Sequence, residues 1–481
     1  MKRRDFLKTF GAVVGTAAVG SQLAGCGSSN EGDNIQNDDY NNQKEPPKGK
    51  MTYRTKDKAA GERGQTSSLD LPSGSRLGEA KVSILGYGMM RLPMIDAEGD
   101  KTVSTIDQDG VNRLVDYAIE HGVNYYDTSP VYCQGLSERS TGIALSRHPR
   151  SSYYVATKLS NFSEEAWSRE ASIAMYHKSM KELQVDYIDY YLLHAVGGGG
   201  MDNFRKRYID NNIIDYLLEE RKAGRIRNLG FSFHGDVEVY DWLLANHDKY
   251  HWDFVQIQMN YVDWYPNYQP NERNISAYYL YNELEKRGIP AVIMEPLLGG
   301  RLAKLPKFVL KKLKERDPQK SAASWAFRYA GTPKNVLTVL SGMTYMEHLK
   351  DNLLSYCPLK PLTDEEMNFL YDIAEDIRGV QTIPCTACSY CMPCPYGIDI
   401  PGIFTHYNKC LNEGVMPVNP NASEYARLRR NYLIGLARSV EPERQPDHCI
   451  GCGKCEQACP QNIRIPREMR KIDDFINKLK S

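Results

Sequence analysis

Residues 153–194 read YYVATKLSNFSEEAWSREASIAMYHKSMKELQVDYIDYYLLH, and the fold prediction starts from them. Two short runs rich in β-branched and aromatic residues, 153–158 and 188–194, flank an amphipathic stretch over 164–183. Such runs predict strands, and the stretch between them predicts a helix. A strand, a helix and a second strand in this order form the unit from which parallel sheets are built.

The same unit repeats along most of the chain. Further strands are predicted at 82–85, 124–127, 226–232, 254–258, 290–294 and 336–340. Further helices are predicted near 109–120, 138–146, 211–222, 237–247, 275–287, 321–330 and 346–354. Eight such units predict a closed (β/α)8 TIM barrel over residues 80–358. A doubly wound open sheet is the structural alternative.

The composition is that of an ordinary globular protein. Of 481 residues, 41% are apolar and 25% are charged, and 60 basic residues balance 60 acidic ones. Disorder of the whole chain is therefore excluded. Zero net charge also argues against a nucleic-acid partner, because such partners select large basic surfaces.

The first 26 residues predict a targeting signal rather than part of the fold. Arg3 and Arg4 form a twin-arginine pair, and an uncharged stretch ends in LAGC (23–26), which resembles a bacterial lipobox. That stretch is too short to span a bilayer as a stable helix. We expect export to the periplasm or the outer face of a bacterial membrane, with a lipid anchor on Cys26. A weak N-terminal helix with a chance cysteine is the alternative.

Two connecting segments flank the barrel. Residues 27–78 are rich in Asn, Asp, Glu, Gly, Ser and Lys, and predict a flexible linker. Residues 359–383 predict a linker helix, with Thr363 as N-cap and Glu366 completing a capping box. Residues 384–481 show little periodicity and carry two runs of cysteines.

The two runs are CTACSYCMPCP (385–395) and CIGCGKCEQACP (449–460). The second matches the bacterial ferredoxin spacing, and the first is one residue shorter before its last cysteine. Cysteines at this spacing predict two 4Fe–4S clusters in a ferredoxin-like domain, and in two-cluster ferredoxins the last cysteine of each run serves the other cluster. The predicted ligand sets are Cys385, Cys388, Cys391 and Cys459 for one cluster, and Cys449, Cys452, Cys455 and Cys394 for the other. Two zinc sites or disulfides are the alternatives.

Four residues at the ends of predicted strands carry a resemblance to a known family. They are Asp127 and Tyr132 in GVNYYDTSPVYCQGLSE (122–138), Lys158 in ATKLS and His194 in YYLLHAV. Together these motifs resemble the aldo/keto reductases, a family of (β/α)8 barrels that use nicotinamide cofactors, over about residues 80–355. A branch of that family carries a ferredoxin-like tail, and this chain resembles that branch from Lys81 onward.

The four side chains also suggest a chemistry. A carbonyl that accepts hydride needs a proton on its oxygen, and a tyrosine of ordinary pKa, about 10, is a weak acid at neutral pH. We expect the Lys158 ammonium to lower the pKa of Tyr132, and Asp127 to keep Lys158 charged and in place. His194 would hydrogen-bond the carbonyl oxygen. The alternative is that Asp127 and Lys158 form a structural ion pair and that His194 is a buried core residue.

The resemblance further implies a bound NAD or NADP. The implied cofactor contacts are Ser232, Gln256, Met294, Gly342 and Asn352. Several positions depart from the family pattern. Phe233 stands where the family has an asparagine, and Met294 stands where many members have a stacking tyrosine. Gly342 and His348 stand where NADP-specific members often carry a basic residue, so the choice among NAD, NADP and a flavin stays open.

Three aromatic residues follow the sixth predicted strand: Trp264, Tyr265 and Tyr268. Aromatic side chains beside a polar site would suit a sugar or a cyclic carbonyl. Packing of these rings within the protein is an equally compatible interpretation.

The sequence therefore predicts an exported oxidoreductase that reduces a carbonyl or oxidises an alcohol, with sugars among the candidate substrates. Its clusters would relay electrons to a redox partner protein. Three alternatives stay open. The clusters could only stabilise the tail, the enzyme could be a redox-neutral sugar epimerase or lyase with tightly bound nicotinamide, or the chain could be a binding lipoprotein.

Overall fold

The computed structural model describes four stretches of the chain: residues 45–55, 81–97, 100–265 and 274–481. The predicted targeting signal with Cys26, most of the predicted linker, and Tyr268 lie outside these stretches, so the predictions for them stay predictions. Among the described residues, no helix combines the length and apolar character needed to cross a bilayer.

Eight parallel strands close into a barrel, as the sequence predicts. The strands are β1 (Leu85–Gly88), β2 (Tyr125–Asp127), β3 (Tyr154–Leu159), β4 (Ile188–Leu193), β5 (Ile226–Ser232), β6 (Phe254–Gln258), β7 (Ala291–Met294) and β8 (Val336–Ser341). The barrel closes between β8 and β1, where Val339 pairs with Leu85 and Leu340 with Gly86. The predicted (β/α)8 fold is confirmed, and the open-sheet alternative is wrong.

A helix follows each strand on the outside of the barrel. These helices are α1 (Gln108–Glu120), α2 (Ser137–Leu145), α3 (Arg169–Leu183), α4 (Ile213–Lys222), α5 (Val237–Ala245), α6 (Ala277–Arg287), α7 (Ala322–Gly331) and α8 (Met346–Tyr356). The loops add a hairpin of Met94–Ala97 with Asp100–Ile106, and short helices at Gly200–Phe204, His247–Tyr250 and Lys307–Arg316.

The strands form because their side chains are buried on both faces. All six residues of β4 and all six of β8 are buried. Tyr125, Tyr190 and Phe254 pack together in one cluster, while Tyr191 and Leu193 belong to the larger cluster shared with the helices. A continuous apolar run is what a parallel strand covered on both faces requires.

The first barrel strand begins later than predicted. Val82–Ser83 does not join the barrel but pairs antiparallel with Tyr53–Arg54. The barrel strand starts at Leu85 because the residues before it are held by this separate two-stranded sheet.

Residues 45–55 pack against the barrel, although the sequence assigns them to a flexible linker. Met51 is buried. The Arg54 guanidinium donates to the carbonyl oxygens of Gly331 at 2.6 Å and Val336 at 2.9 Å. The linker prediction is therefore wrong for these residues, because a polar composition does not reveal carbonyl groups elsewhere in the fold that an arginine can bind.

After the barrel comes α9 (Asp364–Gly379), the predicted linker helix. Its capping box is confirmed: the Thr363 hydroxyl accepts from the Glu366 amide at 3.2 Å, and the Glu366 carboxylate accepts from the Thr363 amide at 2.9 Å. Leu370 and Trp325 lie in one apolar cluster, so α9 packs onto the barrel helices.

The C-terminal domain contains three long helices that the sequence analysis did not predict: α10 (Ile400–Asn412), α11 (Tyr425–Ser439) and α12 (Ile465–Lys480). They enclose an apolar core that includes Phe404, Tyr432 and Met469. The prediction of little periodicity is wrong for α12, whose buried residues recur every three or four positions. These residues are Ile465, Met469, Ile472, Ile476 and Leu479.

The C-terminal domain lies on the carboxyl ends of the barrel strands. Arg91 donates to the Thr386 carbonyl at 2.5 Å, and Asn274 donates to the Pro460 carbonyl at 3.0 Å. Gly299 approaches the same loop so closely that a Cβ there would lie 2.1 Å from the Thr386 carbonyl oxygen. Both cysteine runs therefore contact the rim of the barrel mouth.

Candidate active site

Strand ends bring the four predicted catalytic residues together. Asp127 ends β2, Lys158 lies near the end of β3, and His194 directly follows β4. Tyr132 lies in a short turn after β2, where the next residue, Cys133, has a left-handed backbone with φ of 48°. The carboxyl ends of barrel strands are where such enzymes place their sites.

Lys158 and Asp127 form a buried ion pair. The Lys158 Nζ donates to the Asp127 Oδ1 at 2.6 Å and to the Thr128 carbonyl oxygen at 2.7 Å. Burial lowers the pKa of Lys158 and raises the pKa of Asp127. The charge of Asp127 opposes the shift of Lys158, and the charge of Lys158 opposes the shift of Asp127. The same Nζ lies 4.9 Å from the centroid of the Tyr132 ring.

The pKa of Tyr132 is raised well above 10, which contradicts the expected lowering. Burial is the main cause, followed by the neighbouring hydroxyl of Tyr390 and the charge of Asp127. The Lys158 ammonium is already engaged by Asp127 and lies against the ring face. Tyr132 consequently keeps its proton at neutral pH and can serve as a hydrogen-bond donor.

His194 is held as a neutral imidazole. Burial lowers its pKa well below 6.5. Its Nδ1 lies 2.6 Å from the Ser160 hydroxyl, and Ser160 lies 2.9 Å from Ser129. With the Ser160 hydroxyl donating to Nδ1, the ring proton lies on Nε2, which faces the cavity. Sequence reasoning missed Ser160, although it stands two residues after Lys158 in the quoted ATKLS element.

One cavity of about 560 Å³ opens beside these residues. Asp127, Tyr132 and His194 line it directly, whereas Lys158 is fully buried behind them. All five predicted cofactor contacts also line it: Ser232, Gln256, Met294, Gly342 and Asn352. The structure thus brings the predicted catalytic and cofactor residues to one cavity.

The nicotinamide prediction can be tested against the polar atoms of this cavity. Gln256 donates through Nε2 to the Met294 sulfur at 3.4 Å, and its Oε1 is buried with no hydrogen-bond partner. An unpartnered buried carbonyl oxygen suits a ligand amide. Ser232 accepts from the Ala195 amide at 2.9 Å. Ser232 and Gln256 therefore fit a carboxamide-bearing cofactor. Phe233, which stands where the family has an asparagine, is buried and does not line the cavity.

Four charged residues that line the cavity were missed by the sequence analysis: Arg91, Glu295, Lys304 and Asp351. Glu295 lines it with an Oε2 that has no hydrogen-bond partner, and burial raises the pKa of this carboxyl while the charge of Arg91 opposes the rise. Arg91 also lines the cavity. The available signal was the neighbouring position, because Met294 already departs from the family pattern.

The described aromatic residues of the predicted substrate wall do not line the cavity. Trp264 packs edge to face on Tyr278, with ring centroids 5.4 Å apart. Tyr265 makes an edge contact with Tyr371 at 6.5 Å. Trp264 packs against the apolar core and Tyr265 is 42% exposed outside the cavity, so neither ring forms the predicted substrate wall.

The eight cysteines of the two runs assemble across the runs. Cys385, Cys388, Cys391 and Cys459 line one small cavity. Cys394, Cys449 and Cys452 lie close enough to Cys455 to raise its pKa. These are the two sets that the ferredoxin rule implies. None of the eleven described cysteines forms a disulfide.

The thiol sets suit clusters better than a single ion. Within the described stretches, no three His, Cys, Asp or Glu side chains gather around one point as a lone metal ion requires. Burial raises the pKa of Cys388 to about 12, so the thiolate form needs a positively charged partner such as iron. The first set would hold a cluster beside the catalytic cavity, because Cys388 lines both cavities.

Tyr390 reaches from the first cysteine run into the catalytic site. It stands between Cys388 and Cys391, and its hydroxyl lies 3.4 Å from the His194 Nε2. It also lies close enough to the Tyr132 hydroxyl for the two phenols to shift each other's pKa. Sequence reasoning missed Tyr390, because nothing in the spacing of the cysteines shows which way the residues between them face.

Comparison with known proteins gives two family matches. A sequence model of the aldo/keto reductase family matches residues 85–375. A model of a 4Fe–4S dicluster domain matches residues 384–464, which include both cysteine runs.

Individual relatives are distant. L-Galactose dehydrogenase of Arabidopsis thaliana is 24% identical over 318 residues, covering 62% of this chain and 93% of the relative. D-Arabinose 1-dehydrogenase of Saccharomyces cerevisiae is 33% identical over 139 residues, covering 27% of this chain and 38% of the relative. A solved aldo-keto reductase from Bacillus halodurans in its holo form has a TM-score of 0.49 at 23% identity, covering 67% of this chain and 96% of its own.

The exchange of ligands between the two runs can be tested with paired substitutions. We expect Cys385→Ala with Cys459→Ala to remove one cluster, since both thiols belong to one set. Cys385→Ala with Cys394→Ala should remove both clusters. Iron and sulfide assays on anaerobically purified protein should give about four irons for the first pair, almost none for the second, and about eight for the native chain.

The matched control is Cys357→Ala, which removes a buried thiol outside both runs and should keep about eight irons. The opposite order, with the 385/394 pair keeping one cluster and the 385/459 pair losing both, would show that each run binds its own cluster.

Proposed function

The chain belongs to the aldo/keto reductase family and carries a C-terminal 4Fe–4S dicluster domain, and from this premise we propose a specific division of labour. The barrel interconverts a carbonyl and an alcohol with Asp127, Tyr132, Lys158 and His194, and the clusters carry electrons to or from that site. One observation supports this proposal above all: Cys388 lines the same cavity as Tyr132 and His194.

The residues of the site suit carbonyl reduction. A substrate oxygen would accept hydrogen bonds from Tyr132 and from the His194 Nε2, because both groups carry a proton at neutral pH. Tyr132 then transfers its proton to the oxygen as negative charge develops there. The buried pair of Lys158 and Asp127 supports the developing phenolate, since the ammonium lies 4.9 Å from the ring centroid.

A nicotinamide, when bound, supplies the hydride for this reaction. Ser232 and Gln256 would hold its carboxamide, and Met294 would lie against the ring. Gly342 and Asn352 would line the adenosine end of the same cavity. Gly342 supplies no basic side chain for the 2′-phosphate of NADP, which weakens the case for NADP in particular.

We propose a sugar or a related hydroxylated carbonyl as the substrate. The cavity contains Arg91, His234 and Glu295, which can hydrogen-bond hydroxyl groups. Two relatives in the comparison are named for the sugars L-galactose and D-arabinose. Together these observations favour a polar substrate over an apolar aldehyde.

The positions of the two thiol sets suggest a path for electrons. The first set includes Cys388 at the cavity, and the second includes Cys452, which is exposed. Clusters in these places would accept and donate single electrons between the protein surface and the site. With hydride from a bound nicotinamide as the reductant, each carbonyl reduced would leave the cofactor short of two electrons and one proton. Two single-electron transfers from a redox partner, passed through the clusters, would restore those electrons between turnovers.

Replacement of Tyr132 tests the catalytic assignment. We expect Tyr132→Phe to lower turnover at least about a hundredfold, because the proton donor is lost while the ring and its packing stay. The assay would follow a panel of aldehydes and aldoses with NADH, NADPH or dithionite-reduced methyl viologen as donor.

Tyr278→Phe is the control, because Tyr278 is a half-exposed tyrosine of α6 away from the cavity. Both variants should keep the visible absorbance of the clusters. Undiminished turnover by Tyr132→Phe would show that this hydroxyl is not the proton donor.

The electron path can be tested at its surface end. We expect Cys452→Ala to remove the second cluster and to lower turnover driven by reduced methyl viologen at least tenfold. The four cysteines of the first set are unchanged in this variant. Cys357→Ala again serves as the control. Unchanged viologen-driven turnover in Cys452→Ala would contradict the proposed electron path. Conversion of a sugar with no net use of any donor would instead support a redox-neutral epimerase or lyase.

We further propose that the protein is exported and lipid-anchored. The twin-arginine pair, Arg3 and Arg4, suits a chain whose clusters are inserted before export, and Cys26 ends a stretch that resembles a lipobox. A lipid on Cys26 would then attach the enzyme to a membrane surface.

Cell fractionation tests this location. We expect the native chain in the membrane fraction, Cys26→Ala in the soluble periplasmic fraction or uncleaved, and Arg3→Lys with Arg4→Lys in the cytoplasm. Cys133→Ala should fractionate like the native chain. A native chain found wholly in the cytosol would contradict the proposal.

A further inference from the structure

The hydroxyl of Tyr390 lies where two hydrogen-bond donors of the catalytic site meet. It is 3.4 Å from the His194 Nε2, and it lies close enough to the Tyr132 hydroxyl to raise the pKa of Tyr132. The two rings stand edge to face, with the His194 and Tyr390 centroids 6.4 Å apart. Tyr390 belongs to the cysteine domain, so this contact joins the two domains at the reacting groups.

The direction of the bond to His194 depends on the imidazole tautomer. In the tautomer whose Nδ1 accepts from the Ser160 hydroxyl at 2.6 Å, the ring proton lies on Nε2 and points toward Tyr390. A phenol oxygen has two lone pairs and can accept from both Tyr132 and His194. The Tyr390 oxygen therefore meets the same pair of donors that a carbonyl oxygen would need.

We infer that Tyr390 occupies the substrate-oxygen position and is a specificity-determining residue, which a substrate must displace in order to bind. This inference rests on the proposed function, since it identifies the donors of Tyr132 and His194 as the substrate-oxygen site. A substrate oxygen has to outcompete a phenol for two hydrogen bonds, which favours strong acceptors such as carbonyl and carboxylate oxygens over ethers and weakly basic groups.

Displacement of Tyr390 also has a consequence for the cluster domain. Cys388 and Cys391 flank Tyr390, and both belong to the first thiol set. A shift of the Tyr390 side chain out of the site acts on the loop that carries these two ligands. Occupancy of the substrate site is thereby coupled to the environment of the first cluster.

Acetate is a suitable probe, because one carboxylate oxygen can accept from both donors. Binding would be measured on the intact, cluster-loaded chain by saturation-transfer NMR on the acetate methyl signal. We expect Tyr390→Phe to bind acetate about tenfold more tightly than the native chain, because the competing hydroxyl is gone. Tyr396→Phe removes the hydroxyl of an exposed tyrosine in the same domain and should leave acetate binding unchanged.

Electron paramagnetic resonance of the dithionite-reduced native chain gives a second, independent readout. We expect saturating acetate to change the signal of one of the two clusters, and to leave the signals of Tyr390→Phe unchanged. Equal or weaker acetate binding by Tyr390→Phe with full iron content would overturn the inference, as would bound acetate that leaves the native signals unaltered. Neither readout needs turnover. Failure of the proposed reaction would appear as undiminished turnover by Tyr132→Phe, whereas failure of the Tyr390 inference would appear in acetate binding or in the cluster signals.

Discussion

The close contact between Gly299 and Thr386 determines how near the cysteine domain can lie to the barrel. A Cβ at position 299 would stand 2.1 Å from the Thr386 carbonyl oxygen, and the backbone there has a φ of 68° that favours glycine. Arg91 then holds the same carbonyl from the barrel side at 2.5 Å. Because Thr386 lies between the first two cysteines, this contact brings Cys388 and Tyr390 to the cavity. Any side chain at 299 would lift the loop and open the outer wall of the site.

Burial of charge explains the electrostatic character of the site. An ammonium or a carboxylate alone would be strongly destabilised at this depth, but Lys158 and Asp127 neutralise each other at 2.6 Å. Their pairing leaves Tyr132 and His194 as neutral groups that each carry one proton toward the cavity. A site of this kind binds an uncharged oxygen through two donors and stabilises the charge that develops on it. The sequence analysis expected a tyrosine of lowered pKa here, but the pKa of Tyr132 is raised because burial outweighs the single ammonium.

The parts of the molecule that were predictable from sequence are those fixed by local pattern. The strands are continuous buried runs, so their number and the positions of Asp127, Lys158 and His194 follow from spacing alone. The capping box at Thr363 is equally local. The errors concern contacts between segments far apart in the chain: Arg54 with the far side of the barrel, Trp264 with neighbouring rings, and Tyr390 with His194 across 196 positions. The periodicity of a sequence does not show which distant loops contact each other in the fold.

The position of the clusters argues for a role beyond holding the tail together. The C-terminal domain has its own apolar core of Phe404, Tyr432 and Met469, with three helices packed around it. Thiol sets that served only to cross-link this domain could lie anywhere within it. Instead one set adjoins the catalytic cavity, while the other includes exposed Cys452. Cross-linking accounts for the presence of two cysteine runs, whereas the proposed electron transfer also accounts for one set beside the cavity and an exposed cysteine in the other set.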